Sequence, residues 1–342
     1  MPWREINNPY FIWLSEIILQ QTRVAQGLPY YQRFIETYPT IEALARASEQ
    51  EVLMLWQGLG YYSRARNLHK CAQVIQQNFG GEFPGSFEEL VKLPGIGPYT
   101  AAAIASLAFN KPVPVVDGNV YRVLARVFGI ENNIADAKSF KVFFNHSREL
   151  IDINDPGSYN QAIMELGATV CVPQNPECSE CPVETICYAR KEGKQSTLPV
   201  KIKKAKKRDR YFTYLVIVVD GQLAMKKREQ KDIWQGLFEF VLVEGDKTHV
   251  KPDQIQDEQL KKLLANEKVV ITDETLLPKH LLSHQTIHSL FVQITVHPSA
   301  TILGWLKQNN LALYAQDEIE TLPKPVLITR YLNSISKSIN LQ

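Results

Sequence analysis

At 342 residues the chain is long enough for two domains, and 45% apolar against 22% charged residues is the composition of a soluble globular protein. No apolar run is long enough to span a bilayer, and Met1-Pro2-Trp3-Arg4 lacks the apolar stretch of a signal peptide, so the default expectation is a cytoplasmic protein of bacterial type with no membrane partner. The net charge of +2 does not by itself mark a nucleic-acid binder.

The distribution of charge says more. Residues 1–200 carry 17 Lys/Arg against 20 Asp/Glu, residues 201–210 carry 7 against 1, and residues 211–342 carry 14 against 15. Any attraction for phosphate is therefore local: backbone amides, helix ends, the 201–210 run, or cations such as Arg64 and Arg66.

Asn8 and Pro9 suit the N-cap and first turn of a helix expected over Pro9–Val24. That helix is apolar on much of its surface, with Glu16 in the middle of it. The glutamate is either solvated on the rim of the stripe or a desolvated acid able to donate a proton near neutrality. Helical spacing continues over Tyr30–Tyr38, Ile41–Ala47, Glu49–Leu55 and Ser63–Gln77. The break Gln57-Gly58-Leu59-Gly60-Tyr61-Tyr62-Ser63-Arg64 is a glycine-flexed turn with aromatics and a cation. It suits a wedge into a kinked duplex, or simply a turn with a tyrosine in the core.

Leu93-Pro94-Gly95-Ile96-Gly97-Pro98-Tyr99-Thr100 reads as a tight hairpin between two helices. Gly95 and Gly97 would turn backbone amides toward a phosphate oxygen at a helix N-terminus. Asp117, in Val116-Asp117-Gly118-Asn119, stands just before the next helical pattern; helix capping is the plain reading of it. Further helices are expected near Val120–Phe128, Ala137–Glu149 and Tyr159–Val170.

Cys171, Cys178, Cys181 and Cys187 follow, separated by six, two and five residues. Four thiols in so short a stretch of an intracellular chain point to a metal centre. Structural zinc typically uses two closely spaced pairs, and only one is present, so the spacing favours a [4Fe–4S] cluster held by the 171–187 loop. Residues 196–210 read as a basic linker, solvated or strapped along a nucleic-acid backbone. Beyond it the pattern becomes strand-like at Tyr211–Val219, turns at Asp220-Gly221, and resumes at Leu223–Lys227, Leu237–Val243, His288–Val296 and Leu311–Tyr314. With helical stretches near Asp257–Ala265 and Pro325–Ser336, this predicts a second, α/β domain over 211–342 with an antiparallel sheet. His280, His284 and His288 recur every four residues, but a strand context does not bring such a spacing to one metal.

These motifs resemble the adenine DNA glycosylase family, the MutY branch of the endonuclease III superfamily. They are Trp13-Leu14-Ser15-Glu16 with Gln20-Gln21-Thr22, Gly58 to Arg64, Leu93–Thr100, Val116 to Val120, Glu165-Leu166-Gly167-Ala168 and the four cysteines. The resemblance covers nearly the whole chain. It implies a mainly α catalytic region over 1–195: a six-helix bundle with a helix-hairpin-helix near 90–104 and an iron–sulfur lobe. A smaller Nudix-like α/β domain follows at 211–342. No Nudix box occurs there, so hydrolysis of free nucleotides is not expected.

The resemblance also implies roles. The substrate is duplex DNA with adenine opposite 8-oxoguanine or guanine, met by a monomer, and the flipped adenine leaves by hydrolysis of its N-glycosidic bond. Glu16 is the acid; Asp117, expected to stay ionised, stabilises or attacks the sugar cation; Tyr99 and Asn119 position sugar and aspartate. Trp3, Arg4 and Gln161 match the adenine pocket. Gln21, Thr22, Leu59, Tyr61, Ser283 and His284 match the lesion side. Lyase relatives carry lysine at the position of Tyr99, so a phenol there predicts a monofunctional glycosylase. Two departures stand out: Leu282 replaces the usual Phe before Ser283-His284, and the chain starts almost on the Pro-Trp-Arg cluster, where the family has another helix. Either the start is trimmed, or the pocket edge at Trp3 and Arg4 is less well buttressed. The competing readings are a glycosylase for another mismatched or damaged base, and a non-catalytic DNA-damage binding module.

Overall fold

The structure, a computed structural model, describes residues 7–202, 207–251, 254, 260, 261 and 270–339. Trp3 and Arg4 lie outside the described residues, as does most of the helix expected near Asp257–Ala265. Two compact units divide the chain: one runs up to Ala47 and resumes from Asn67 into the linker, the other joins Ser48–Arg66 to the chain beyond the linker. Among the described residues no helix is long and apolar enough to cross a membrane.

Helices follow one another through the first part of the chain: α1 (Pro9–Leu19), α2 (Val24–Thr37), α3 (Ile41–Arg46), α4 (Glu49–Leu55), α5 (Ser63–Phe79), α6 (Phe87–Leu90), α7 (Pro98–Phe109), α8 (Gly118–Phe128), α9 (Ser139–Leu150), α10 (Pro156–Thr169) and α11 (Tyr188–Lys191). Asn8 caps α1 by accepting from the Tyr10 amide at 2.9 Å, with Pro9 in the first position. Trp13, Leu14 and Ile18 are fully buried, worth roughly 2 kcal/mol each in area removed from water. Helix α1 stops short of the expected Val24. Gln21 takes φ 56°, so Gln20–Arg23 becomes a turn that a continuous helix cannot accommodate. The alanine-rich α7 packs on α1, its small buried side chains (Ala101, Ala102, Ala103, Ala105) letting the helices approach closely. Helix α8 packs on α10, where a Cβ on Gly167 would sit 2.7 Å from the Asn119 Cβ; only glycine fits.

The second unit is built on a mixed sheet: β1 (Arg208–Val219), β2 (Gln222–Lys227), β3 (Phe238–Glu239), β4 (Val241–Gly245), β5 (Val270–Leu281), β6 (Gln285–Val296) and β7 (Ala312–Tyr314), in the order β3-β2-β1-β6-β5 with β4 on β1 and β7 on β2. Helices α12 (Ala300–Gln308), α13 (Gln316–Glu320) and α14 (Val326–Ile339) complete it. The Asp220-Gly221 turn has both residues at positive φ, which joins β1 to β2 as the sequence predicts. The all-antiparallel expectation is wrong: β1 and β6 run parallel, from Arg208 beside Gln285 to Val219 beside Val296. Alternation along β1 puts Leu215, Ile217 and Val219 into an aliphatic core with Ile302 and Leu306, while Tyr214 stacks on Phe291 on the other side.

The candidate active site and its cysteine loop

Four separate segments of the first unit bring Glu16, Tyr99, Asp117, Asn119 and Gln161 to one cavity of about 260 Å³. Glu16 is half-buried on α1 between the buried Ser15 and Ile17, and it lines the cavity. Tyr99 stands in the first turn of α7, immediately after the glycine hairpin. Burial pushes its phenol well above the ordinary value; the Glu16 charge, a hydrogen bond to Glu16 and the Asp117 charge push the same way. The hydroxyl therefore stays protonated, a donor and not a base. It also donates to the Met164 Sδ at 3.7 Å.

Asp117 is the N-cap of α8. Its Oδ1 accepts from the backbone amides of Asn119 and Val120, both at 2.8 Å, and its Oδ2 accepts from the Asn119 side-chain amide at 3.0 Å. Those bonds and the Arg122 charge favour the anion, yet burial outweighs them and the carboxyl lies above its ordinary value. A capping aspartate was expected to be simply acidic; here desolvation is the larger effect.

Sequence reasoning missed the brace behind this group. Arg122 donates to Asn119 Oδ1 at 2.8 Å, to the Gly167 carbonyl at 2.6 Å and to the Cys171 carbonyl at 2.6 Å. Asp117, Asn119, Arg122 and the start of the cysteine loop thus form one chain of hydrogen bonds. One turn further along α8, Arg126 donates to the carbonyls of Leu198, Val172 and Pro173 and to the Cys171 Sγ at 3.3 Å. Met164 also lines the cavity without having been singled out, as does Glu165, which the sequence offered only as part of a motif and not as a site residue.

Cys171, Cys178, Cys181 and Cys187 line a second cavity, together with Arg126. Burial raises the Cys181 thiol, and the other three thiols add to it. Among the described residues no three His, Cys, Asp or Glu side chains are grouped so as to hold a single metal ion. The four thiols ring a shared space instead.

The hairpin has the form expected. Gly95 takes φ 74° with a Cβ position only 2.6 Å from the Asn67 Cβ, and Ile96 anchors the turn in the core. Gly95 and Gly97 lie exposed at the start of α7. Of the residues expected to meet the lesion, Gln21 is exposed in the strained turn after α1, and the Thr22 hydroxyl donates to the Gln20 carbonyl. In the second unit Tyr61 is 46% exposed at φ 49°, whereas Leu59 is buried. Ser283 and His284 occupy the exposed apex of the β5–β6 hairpin, closed by the Leu282 amide donating to the Gln285 carbonyl at 2.8 Å. Three expected phosphate cations are already engaged. Arg64 lies buried between Trp56 and Tyr61, Arg66 donates to the Gln235 carbonyl, and Arg210 is paired with Asp232 and Glu244.

Residues 14–145 match the family described as HhH-GPD superfamily base excision DNA repair protein, and residues 213–334 match the NUDIX domain family. The adenine DNA glycosylase of Buchnera aphidicola subsp. Baizongia pistaciae is 33% identical over 341 residues, covering 98% of this chain and 92% of the relative. That of Buchnera aphidicola subsp. Acyrthosiphon pisum is 38% identical over 240 residues, 70% of this chain and 69% of the relative. Among solved structures, a thermostable thymine-DNA glycosylase is similar with a TM-score of 0.53 at 29% identity, over 56% of this chain and 88% of that one. With a relative aligned along almost its whole length and both of its parts matched, the chain belongs to the adenine DNA glycosylase family, hydrolases of the N-glycosyl bond that work in base excision repair.

Proposed function

We propose that the enzyme releases adenine paired with 8-oxoguanine or guanine in duplex DNA, acting as a monofunctional glycosylase with Glu16 as acid and Asp117 as the anion facing the sugar. The observation that carries this is the convergence of Glu16, Tyr99, Asp117, Asn119 and Gln161 on one cavity. Adenine is a poor leaving group as an anion. Once flipped into the cavity, it can take the Glu16 proton at N7 and leave neutral. The positive charge that develops on the sugar is then met by Asp117, either as an ion pair or through a covalent ester displaced by water. Asn119 and Arg122 fix the aspartate, and Tyr99 fixes Glu16 by donating to it. Among the described cavity-lining residues there is no amine to form a Schiff base, which supports hydrolysis without strand cleavage.

Gly95 and Gly97, both exposed, suit a phosphate of the backbone, and Gln21, Tyr61, Ser283 and His284 are exposed as contacts with the lesion side require. Since 88% of the thymine-DNA glycosylase aligns with only 56% of this chain, that protein has no room for a second region of this size, and the Nudix-matched region supports an oxidised purine as the opposite base over a second mismatch reading. Cys171, Cys178, Cys181 and Cys187 suit a [4Fe–4S] cluster: four soft donors line one cavity, and the Arg126 guanidinium donates to the Cys171 Sγ at 3.3 Å. When bound, it supplies four iron–sulfur bonds that tie the loop together.

Single-turnover base release from duplexes carrying A opposite 8-oxoguanine, A opposite G, A opposite T and T opposite G tests the proposal, with and without alkali. Fast adenine release from the first, with breaks mainly after alkali, is expected. Thymine release alone, or breaks without alkali, would overturn it, and undiminished release by Glu16→Gln would remove the acid. Stoichiometric zinc in place of iron would remove the cluster.

A further inference from the structure

We propose that Met164 is a site of oxidation by peroxide, and that its sulfoxide switches off base release while leaving DNA binding in place. The proposal rests on the reading of the Glu16–Asp117 cavity as the adenine site. Met164 lies on α10 between Gln161 and Glu165 and is half-buried, with its side chain on the cavity wall. Its Sδ accepts from the Tyr99 hydroxyl at 3.7 Å, and the same hydroxyl is hydrogen-bonded to Glu16. One proton donor is thus shared between a carboxylate and a sulfur. A thioether is a weak acceptor, so Glu16 keeps the phenol. A sulfoxide oxygen is a strong acceptor and polar, and it would draw the Tyr99 proton away from Glu16.

The chemistry balances with hydrogen peroxide as the named oxidant. A sulfur lone pair attacks one peroxide oxygen and the O–O bond breaks. That oxygen becomes bonded to sulfur, and the other, taking up the proton, leaves as water. Sulfur loses two electrons and peroxide gains them, and a thiol-dependent sulfoxide reductase reverses the step. The other described methionines are placed differently: Met225 is fully buried in the sheet unit, and Met54, on α4, is not among the residues lining this cavity.

The test treats the full-length protein with graded hydrogen peroxide and maps sulfoxide by peptide mass spectrometry. Single-turnover adenine release, duplex binding and the visible absorbance of the cluster are followed in parallel. Release is expected to fall about 10- to 100-fold in proportion to Met164 sulfoxide, the scale of a small misplacement of catalytic groups, with binding retained and activity restored by the reductase. Met164→Leu, read against its own untreated rate, should hold its activity at the same dose; Met164→Ile serves if leucine packs poorly. Equal loss in the variant, loss that tracks cluster bleaching, or unchanged release at full Met164 sulfoxide would each overturn the proposal. Failure of the site reading looks different: no adenine is released before peroxide is added.

Discussion

Replacing Asp117 by asparagine removes the charge from the cavity while keeping the size of the side chain. An amide oxygen can still accept from the backbone amides of Asn119 and Val120, so the cap on α8 remains. The second oxygen, which now accepts from the Asn119 side chain, becomes an NH₂ that faces another NH₂. Asn119 must turn, at the expense of its bond from Arg122, but the missing charge matters more. An anion about 4 Å from a developing sugar cation, at an effective dielectric near 20, is worth about 4 kcal/mol. That is roughly a 10³-fold loss of rate. The pH profile gives a second readout. Burial holds the carboxyl above the ordinary aspartate value of 3.8, against the bonds from Val120 and Asn119 and the Arg122 charge. Because the ion is the active form, wild-type release should fall as pH drops through that raised value, earlier than a free aspartate would dictate. For folding the sign is the reverse: the stability this group contributes is full below the unfolded value and is lost as pH rises through the folded one. The assay is single-turnover release against pH, with duplex binding measured beside it. Release by Asp117→Asn within tenfold of wild type, or the same acid limb in both proteins, would refute the assignment.

Three other outcomes follow from the structure. Arg122→Lys keeps the charge but cannot reach Asn119, Gly167 and Cys171 together; each lost charged bond costs about 1.5–3 kcal/mol, so the melting temperature should fall by several degrees along with release, and an unchanged melt would refute the brace. Tyr99→Lys places an amine in the cavity and should yield strand breaks without alkali and a borohydride-trapped adduct; absence of the adduct counts against the site geometry. Asp232→Asn leaves the buried Arg210 and Arg228 short of a partner and should cost about 3 kcal/mol in denaturant unfolding. Although burial alone would raise Asp232, the bonds from Arg210 lead the effects that lower it to about 2. Its contribution is therefore present above about pH 4 and lost as pH falls toward about 2, where variant and wild type should converge.

The helical half was legible because its signals are local. Asn8-Pro9 opens α1 and Asp220-Gly221 closes a hairpin as read, while α10 begins at Pro156 behind an Asp155 cap that accepts from Ser158, ahead of the expected Tyr159. Partner choice and unusual backbone angles are not local. Nothing in the alternation of β1 says that it pairs in parallel with β6, about 75 residues on, because the pattern records faces and not neighbours. Strand β5 was missed: it is an edge, carries Asp273 and Glu274, and is bulged around Pro278 between Leu277 and His280, so it lacks the apolar alternation of a buried strand. The turn at Gln21 was hidden for a related reason, since glutamine carries no preference for the positive φ by which the chain leaves α1 and turns into α2.

The site was legible to the extent that a buried charge betrays itself, and the same rule that isolates Glu16 in α1 also applies to α8. Arg122 and Arg126 are four residues apart among Val120, Val123, Leu124 and Val127, all buried with them. Both helices therefore announce a charge that burial has to justify. What differs is how the charge is satisfied. The guanidinium groups spend their N–H bonds on the carbonyls of Gly167, Cys171, Val172, Pro173 and Leu198, which tie together the end of α10, the start of the cysteine loop and the approach to the linker. A side chain so committed holds a shape. Glu16 instead lines a cavity of about 260 Å³ that the Tyr99 phenol and Asp117 also line. A carboxylate set against open space can meet a substrate, whereas guanidinium groups spent on backbone carbonyls cannot, and that difference separates a candidate acid from a brace.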